Sequence, residues 1–296
     1  MDYKCCNLCE RRCHINRYEK KGVCGATNKL KVARAALHFW EEPCISGKEG
    51  SGTIFFSNCN LKCIFCQNKK ISTCGYGKEI TIEKLSSICI ELQKQGSNNI
   101  NLVTPTHYVP SIIKGIKKAK KKGLNIPIVY NTSSYETKET IDNLNGIVDI
   151  YLPDLKYNDN KLGENYSNIK NYFEIATRNI DEMYKQVGKP IFNDRGILEK
   201  GVVVRILLLP GHVNDAKKII KYLYEKYNDN IYISLMSQYT PIGKIKDYKD
   251  LNRKVTLKEY NELITYACDL GIENAFIQEG ETADESFIPD FNQIGV

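Results

Sequence analysis

The sequence lacks any apolar run that approaches the length needed to span a bilayer, about 20 residues. It also lacks an apolar stretch near its first residues, Met-Asp-Tyr-Lys-Cys-Cys, where a signal peptide would carry one. Both absences argue against a membrane or exported protein, and we therefore expect a cytoplasmic one. Because 42% of the 296 residues are hydrophobic, the chain can still bury a substantial core.

Acidic residues are the scarcer charge, with 35 Asp and Glu against 42 Lys and Arg, and the formal net charge is +7. Much of the excess lies in the lysine-rich run at 114–122. Such a run is typical of the solvated face of a helix. The alternative is a surface for an acidic partner or for RNA, which excess positive charge would attract.

Cysteine, in contrast, is abundant. Nine of the twelve cysteines lie within the first 66 residues. In an exported protein they would suggest disulfides, but nothing in the sequence points to export. Cysteines bunched in this way in a cytosolic protein usually bind metal, and we expect this group to do so.

Short apolar runs alternate with amphipathic segments after a junction marked by Pro43 and the glycines at 47–52. Six strand–helix units in order predict an α/β fold with a parallel sheet, either open and doubly wound or curved into a partial barrel. The predicted strands are Thr53–Ser57, Asn99–Val103, Ile126–Tyr130, Val148–Leu152, Val202–Leu209 and Ile231–Met236. The predicted helices are one that Thr81 caps, Pro110–Lys122, Lys138–Leu144, Tyr172–Gln186, Asp215–Tyr227 and Thr256–Leu270.

Three cysteines follow the first predicted strand: Cys59, Cys63 and Cys66, in the spacing C-x3-C-x2-C. In parallel α/β folds the chemistry lies at the C-terminal ends of the strands, where this loop is expected. Thiolates are the usual ligands of iron–sulfur clusters, whereas a structural zinc site would need a fourth ligand. Three thiolates on a 4Fe–4S cluster leave one iron open to a small molecule, which is a catalytic arrangement. The alternative is a zinc loop or a set of buried free thiols.

This motif, with the aromatic Phe65 just before its last cysteine, resembles the signature of the radical S-adenosylmethionine (radical SAM) family. The resemblance covers nearly the whole chain and is strongest to the pyruvate formate-lyase activating enzyme group, in particular its uncharacterised homologues with a cysteine-rich N-terminus. It implies an α/β fold, a partial (β/α)6 radical SAM barrel at 46–296 with a small cysteine-rich N-terminal lobe at 1–45. Further stretches that carry the resemblance are 35–47, 66–68, 101–107 and 285–291.

The resemblance implies a 4Fe–4S cluster that binds S-adenosylmethionine (SAM), and a 5′-deoxyadenosyl radical that abstracts hydrogen from a substrate. The protein would supply orientation and exclude water. We expect a protein or peptide substrate, with activation of a glycyl radical enzyme as the narrower hypothesis, and an electron donor such as flavodoxin or ferredoxin. The alternatives are radical modification of a peptide, RNA or small metabolite, and a non-catalytic iron–sulfur or zinc protein that carries electrons or binds nucleic acid.

Polar residues at the ends of later strands are candidates for contacting SAM. Thr104 follows the second strand, where many relatives carry a Gly-Gly-Glu stretch that this chain does not have. Ser133 follows the third strand and suits a ribose or carboxylate contact, although a turn would use the same residue. His107 is the candidate catalytic residue, and its alternative is a loop histidine that is simply hydrogen-bonded.

Charged residues mark the next two strands. Asp154 and Lys156 resemble the Asp-x-Lys element of the activating enzymes, and alternation would aim both to the same side. A surface ion pair is their alternative. Arg205 lies inside an apolar strand, where a charge is costly unless it is paired. The resemblance implies the carboxylate of SAM as its partner, and a salt bridge to Asp154 inside the barrel is the alternative. Phe65 completes the predicted cofactor-binding set.

The N-terminal segment supplies four more thiols in the spacing C-x2-C-x3-C-x10-C. Four thiolates suit either structural zinc or a second iron–sulfur cluster, and the softness of the ligands does not choose between them. The alternative is a lobe of reduced thiols that is stabilised only by packing. The predicted ligands are Cys6, Cys9, Cys13 and Cys24, with Cys5 and Cys44 as substitutes.

Overall fold

The computed structural model describes residues 2–242, 245, 247–278 and 289–296. Of the stretch at 285–291 that carries part of the family resemblance, residues 285–288 lie outside the described residues. No helix in the described part of the chain is both long and apolar enough to cross a membrane.

A sheet of mostly parallel strands organises the fold. The strands are β1 (Leu30–His38), β2 (Ser51–Phe56), β3 (Lys78–Ile80), β4 (Ile100–Val103), β5 (Ile128–Thr132), β6 (Ile150–Pro153), β7 (Ile191–Phe192), β8 (Leu198–Leu207), β9 (Tyr232–Met236) and β10 (Ala275–Ile277). Their order is β10-β9-β8-β6-β5-β4-β2-β1-β3, with β7 beside β8. All six predicted strands are present, and each pairs in parallel with the next. The predicted α/β class, a partial barrel, is confirmed.

Four further strands were not expected from the sequence. β1 and β3 extend the sheet in antiparallel fashion beyond β2, β7 pairs antiparallel with β8, and β10 adds a parallel strand beside β9. β1 precedes residue 45 yet pairs with β2, which follows it. The sheet therefore crosses the predicted boundary between a lobe at 1–45 and a domain at 46–296, and that division stays a prediction.

Amphipathic helices follow the parallel strands. The α-helices are α1 (Pro43–Ser46), α2 (Lys69–Ser72), α3 (Ile82–Lys94), α4 (Val109–Lys121), α5 (Lys138–Asp142), α6 (Asn160–Ser167), α7 (Tyr172–Val187), α8 (Val213–Tyr227) and α9 (Leu257–Asp269), with 3₁₀ turns at Thr106–Tyr108, Asn228–Asn230 and Lys249–Leu251. Thr81 caps α3 as predicted, because its side chain accepts a hydrogen bond from the Lys84 amide at 3.1 Å. The lysine-rich run at 114–122 supplies the solvated side of α4, as expected.

Alternate strand residues face either the helices or the interior of the barrel, because successive side chains point to opposite faces. On β8, Val204 joins the large core beneath the helices, whereas Val203 packs with Cys44 and Ile45 of α1. Asn99, just before β4, donates its side-chain amide to the Ile45 carbonyl at 2.8 Å. Helix α1 therefore fills the interior where the strands begin and leaves their C-terminal ends free for a site.

Candidate functional site

The three motif cysteines lie in one loop at the C-terminal end of β2. All three are free thiols and partly exposed. The loop is held by α6, since the Ser167 hydroxyl donates to the Cys63 sulfur at 2.9 Å and the Ile64 amide donates to the Tyr166 carbonyl at 2.8 Å. The Cys66 sulfur lies 3.2 Å from the Ser72 hydroxyl of α2. Neighbouring elements thus fix the sulfurs without pairing them in disulfides.

The electrostatics of this loop suit a bound cation. Burial raises the pKa of the Cys59 thiol, and the nearby thiols of Cys63 and Cys66 raise it further. Burial also raises the pKa of Cys63, while the Lys156 ammonium acts in the opposite direction. Thiolates that repel one another at a partly buried site are stabilised by a metal, which must displace their protons to bind. The donor set therefore fits a metal cluster held by three sulfurs.

Asp154, Lys156 and Arg205 are brought together at the ends of β6 and β8. The Asp154 carboxylate accepts from Lys156 Nζ at 2.7 Å and from Arg205 Nε at 3.0 Å. These ion pairs lie inside the barrel and are largely shielded from solvent, since the side chains of Asp154, Lys156 and Arg205 are only 21%, 16% and 15% exposed. Burial alone would raise the pKa of Asp154, but the two cations hold it below its ordinary value. The geometry supports the interior salt bridge as the partner of Arg205 in this structure.

Three other predicted residues lie around this network. The amide of Thr104 donates to the Asn131 carbonyl at 2.9 Å, and the Asn131 side chain accepts from Arg205 at 2.6 Å. The Ser133 carbonyl accepts from Tyr172, although the Ser133 hydroxyl is buried and makes no hydrogen bond to any described residue. Phe65 lies apart from this network. Its buried ring packs against the Tyr239 ring, and the two ring centroids are 5.8 Å apart.

His107 is buried beneath the cysteine loop. Its Nε2 lies 2.8 Å from the Ser57 carbonyl, and its ring packs against Tyr108. Burial lowers the pKa of His107 to about 3, so the ring is neutral at physiological pH. This placement supports the hydrogen-bonded alternative, and a catalytic role for His107 stays a prediction.

Two acidic residues that sequence reasoning did not select complete the interior network. Glu41 accepts from Asn101 at 3.0 Å and pairs with Arg205 at 3.3 Å, and Glu42 follows it. Both carboxylates are buried, and burial raises the pKa of each. Their only local signal is an acidic pair within the stretch at 35–47, because the partners lie far away along the chain.

A cavity of about 320 Å³ opens beside the cysteine loop at the C-terminal ends of the strands. Its lining includes Gln67 and Asn68, which directly follow Cys66, and Arg205 together with Asn131 from neighbouring strands. This volume falls within the range of small-molecule pockets, about 300–1,000 Å³. The site therefore joins a three-thiol loop, a buried ionic network and a cavity.

The N-terminal cysteines pack onto the same side of the barrel. Cys9 forms an isolated antiparallel bridge with Glu136, just beyond β5. A Cβ atom at Gly22 would lie 3.2 Å from the Cys24 sulfur and 3.7 Å from the Cys13 sulfur. The glycine therefore leaves room for both sulfurs beside the same turn. Cys44 lies instead in the barrel interior, and the exposed Cys5 contacts His14.

The combination of this loop with a partial parallel barrel defines a class of cluster-binding α/β enzymes. The chain belongs to the radical SAM superfamily, whose family model matches residues 53–223. Members of this superfamily bind a 4Fe–4S cluster and SAM. An uncharacterized protein of Methanocaldococcus jannaschii is 34% identical over 273 residues, which cover 90% of this chain and 75% of that protein.

Solved structures are similar to this chain at low sequence identity. Streptococcus suis SuiB, in a structure with its precursor peptide SuiA, is 16% identical with a TM-score of 0.51, over 76% of this chain and 47% of SuiB. The chain thus spans about half the length of SuiB. A domain of pyruvate-formate lyase-activating enzyme from Bacteroides vulgatus is 19% identical with a TM-score of 0.43, over 58% of this chain and 92% of that domain.

Proposed function

We propose that this chain is a radical SAM enzyme that abstracts hydrogen from a protein or peptide substrate. The observation that carries the proposal is the loop with Cys59, Cys63 and Cys66 beside a cavity at the ends of the parallel strands. When bound, the cluster and SAM together supply a 5′-deoxyadenosyl radical. The residues of the chain hold these groups, orient the substrate and exclude water.

The interior network suits the binding of a zwitterionic cofactor. Arg205 faces the cavity and offers its guanidinium to a carboxylate, while Asp154 and Lys156 hold it in place. The free hydroxyl of Ser133 suits a ribose contact. Thr104, which directly follows β4, and Phe65 of the cysteine loop complete the proposed cofactor set.

Activation of a glycyl radical enzyme is the narrower proposal, and it rests on the sequence resemblance to the activating enzymes. A peptide substrate also agrees with the precursor peptide that SuiB binds. An electron donor such as flavodoxin or ferredoxin would reduce the cluster. All twelve cysteines are free thiols, which agrees with a reducing compartment such as the cytoplasm.

A second metal centre at Cys6, Cys9, Cys13 and Cys24 is part of the proposal. Its support comes from Arg17, which is completely buried and, among the described residues, pairs with no carboxylate. Arg17 donates to backbone carbonyls and points Nη1 at the Cys6 sulfur, 3.8 Å away. A buried cation requires a compensating charge, and metal-bound thiolates would provide it.

Four thiolates suit zinc and an iron–sulfur cluster alike, so the metal content of the protein decides between them.

The test of the cluster assignment is anaerobic reconstitution and reduction with SAM, followed by chromatography for 5′-deoxyadenosine. The wild-type protein should form the nucleoside, and Cys63→Ala should lose both the product and the cluster absorbance. The control is Cys268→Ala, which removes an exposed thiol of α9 and should behave as wild type. A Cys63→Ala protein that keeps both signals would overturn the ligand assignment.

Metal analysis tests the N-terminal centre. A Cys9→Ala/Cys13→Ala double variant should contain about one metal unit less than the wild type, with iron and zinc measured in the same samples. Loss of iron would identify a cluster, and loss of zinc would identify a zinc site. An unchanged metal content would contradict the proposal, since both cysteines are assigned as ligands.

A further inference from the structure

Two adjacent carboxylates face the cavity that the proposed chemistry would use. Both Glu41 and Glu42 line it, together with Arg205. Glu41 is satisfied, because Asn101 and Arg205 each bond one of its oxygens. Glu42 is 8% exposed, and its Oε2 is buried and accepts no hydrogen bond from any described residue.

The charges of this interior do not balance. The described carboxylates of the network are Asp154, Glu41 and Glu42, whereas the described cations are Lys156 and Arg205. The Asp154 carboxylate pairs with Lys156 and with Arg205, and the Glu41 carboxylate pairs with the same guanidinium. His38, which also lines the cavity, adds no charge at neutral pH, since burial and then Arg34 lower its pKa to about 4. Arg205 also lowers the pKa of Glu42, although burial raises it overall, so three carboxylates share two cations.

We infer that Glu42 receives a positively charged group of the substrate, the ammonium or guanidinium of a lysine- or arginine-bearing peptide. Ser234 bonds the Glu42 carboxylate and Arg205 acts on it from a distance, but its Oε2 still has no donor. A buried carboxylate oxygen without a donor is costly, and an incoming cation with N–H donors supplies both a charge and a hydrogen bond. This assignment adds the charge of the substrate to the proposed function and rests on that function for the reaction that the bound peptide undergoes.

The rim of the cavity favours a peptide as the carrier of this cation. Trp40 and Ile277 line the cavity and are 61% and 41% exposed. Large apolar and aromatic side chains at the mouth of a site are typical of surfaces that bind other polypeptides.

The test compares two peptides that differ in a single charge: acetyl-Gly-Lys-Gly-amide and acetyl-Gly-norleucine-Gly-amide. Each is titrated calorimetrically into the anaerobic holoenzyme, with and without SAM. The lysine peptide should bind about tenfold tighter or more, the value of one charge-assisted hydrogen bond. In Glu42→Gln this preference should disappear. The matched control is Glu49→Gln, whose carboxylate lies outside this cavity and pairs with Arg195, and it should keep the preference.

The outcomes separate this inference from the proposed function. Equal binding of both peptides to the wild type, which needs no variant to fold, would overturn the inference. So would a preference that Glu42→Gln retains, or one that vanishes when SAM is bound, since SAM would then be the cation that Glu42 meets. Absence of 5′-deoxyadenosine from an enzyme that still prefers the lysine peptide would overturn the proposed function and leave the cation site standing.

Discussion

Replacing Arg205 with methionine should destabilise the protein strongly, because this side chain neutralises the interior of the barrel. Its guanidinium bonds Asp154 at 3.0 Å, Glu41 at 3.3 Å and Asn131 at 2.6 Å. Methionine fills a similar space but offers no donor. Asp154 would keep Lys156 as a partner, whereas Glu41 would keep only a neutral amide from Asn101.

The magnitude follows from the charge that is left behind. Removing one member of a buried ion pair costs about 3–5 kcal/mol, since the other member stays buried without a counter-charge. We therefore expect Arg205→Met to lose about 3–5 kcal/mol of unfolding free energy near neutral pH. Adding Glu41→Gln removes the stranded charge, so the double variant should recover about 2 kcal/mol of the loss.

The assay is urea unfolding of the wild type, both single variants and the double variant, purified anaerobically and followed by far-ultraviolet circular dichroism. The readout is the coupling free energy of the double-mutant cycle. Additive effects, within about 0.5 kcal/mol, would show that the two residues do not interact energetically. That result would refute the account of Arg205 as the cation that neutralises Glu41.

Two further predictions concern Arg11 of the cysteine-rich segment and His107, which follows β4. Arg11→Ala should speed the loss of iron to a chelator about tenfold, because Arg11 donates to the Asn60 carbonyl at 2.9 Å and secures the loop. The control is Arg12→Ala, which removes an exposed guanidinium from Glu10, a carboxylate that Arg178 also bonds. His107→Gln should flatten the pH dependence of stability. The buried ring stays neutral in the folded protein, whereas the unfolded chain binds a proton there in acid, so between pH 7.5 and 5.5 the wild type should lose about 1.4 kcal/mol more unfolding free energy than the variant. Urea unfolding at the two pH values measures this difference.

The six parallel strands could be predicted because burial on both faces leaves a local signal, a short continuous apolar run. β3, β7 and β10 are three residues or fewer, too short for any periodicity to appear. β1 has nine residues, but it lies in the cysteine-rich segment, where metal binding was the stronger signal. Helix α6 contains glycine and asparagine, so its formation depends on tertiary contacts and not on propensity.

The site residues also differ in whether the sequence could predict them. Cys59, Cys63 and Cys66 could be predicted as ligands because their spacing is local. Asp154 and Lys156 could be predicted as neighbours because alternation places them on one side. Glu41 could not, because its partners Asn101 and Arg205 lie 60 and 164 positions away. A long-range ionic network leaves no periodic trace, and only the fold reveals that these residues share an interior.

The cysteine-rich segment and the cluster loop support one another. Arg11 of the segment bonds the Asn60 carbonyl of the loop, and Lys62 of the loop bonds the Cys24 carbonyl of the segment at 3.4 Å. Reciprocal bonds of this kind mean that ordering either segment lowers the conformational entropy that must be lost to order the other. Metal bound by the four N-terminal thiols would contribute its binding free energy to folding. Part of that free energy would then hold Asn60 and its neighbouring cysteines in place, so that losing the N-terminal metal weakens a site whose own ligands are all intact.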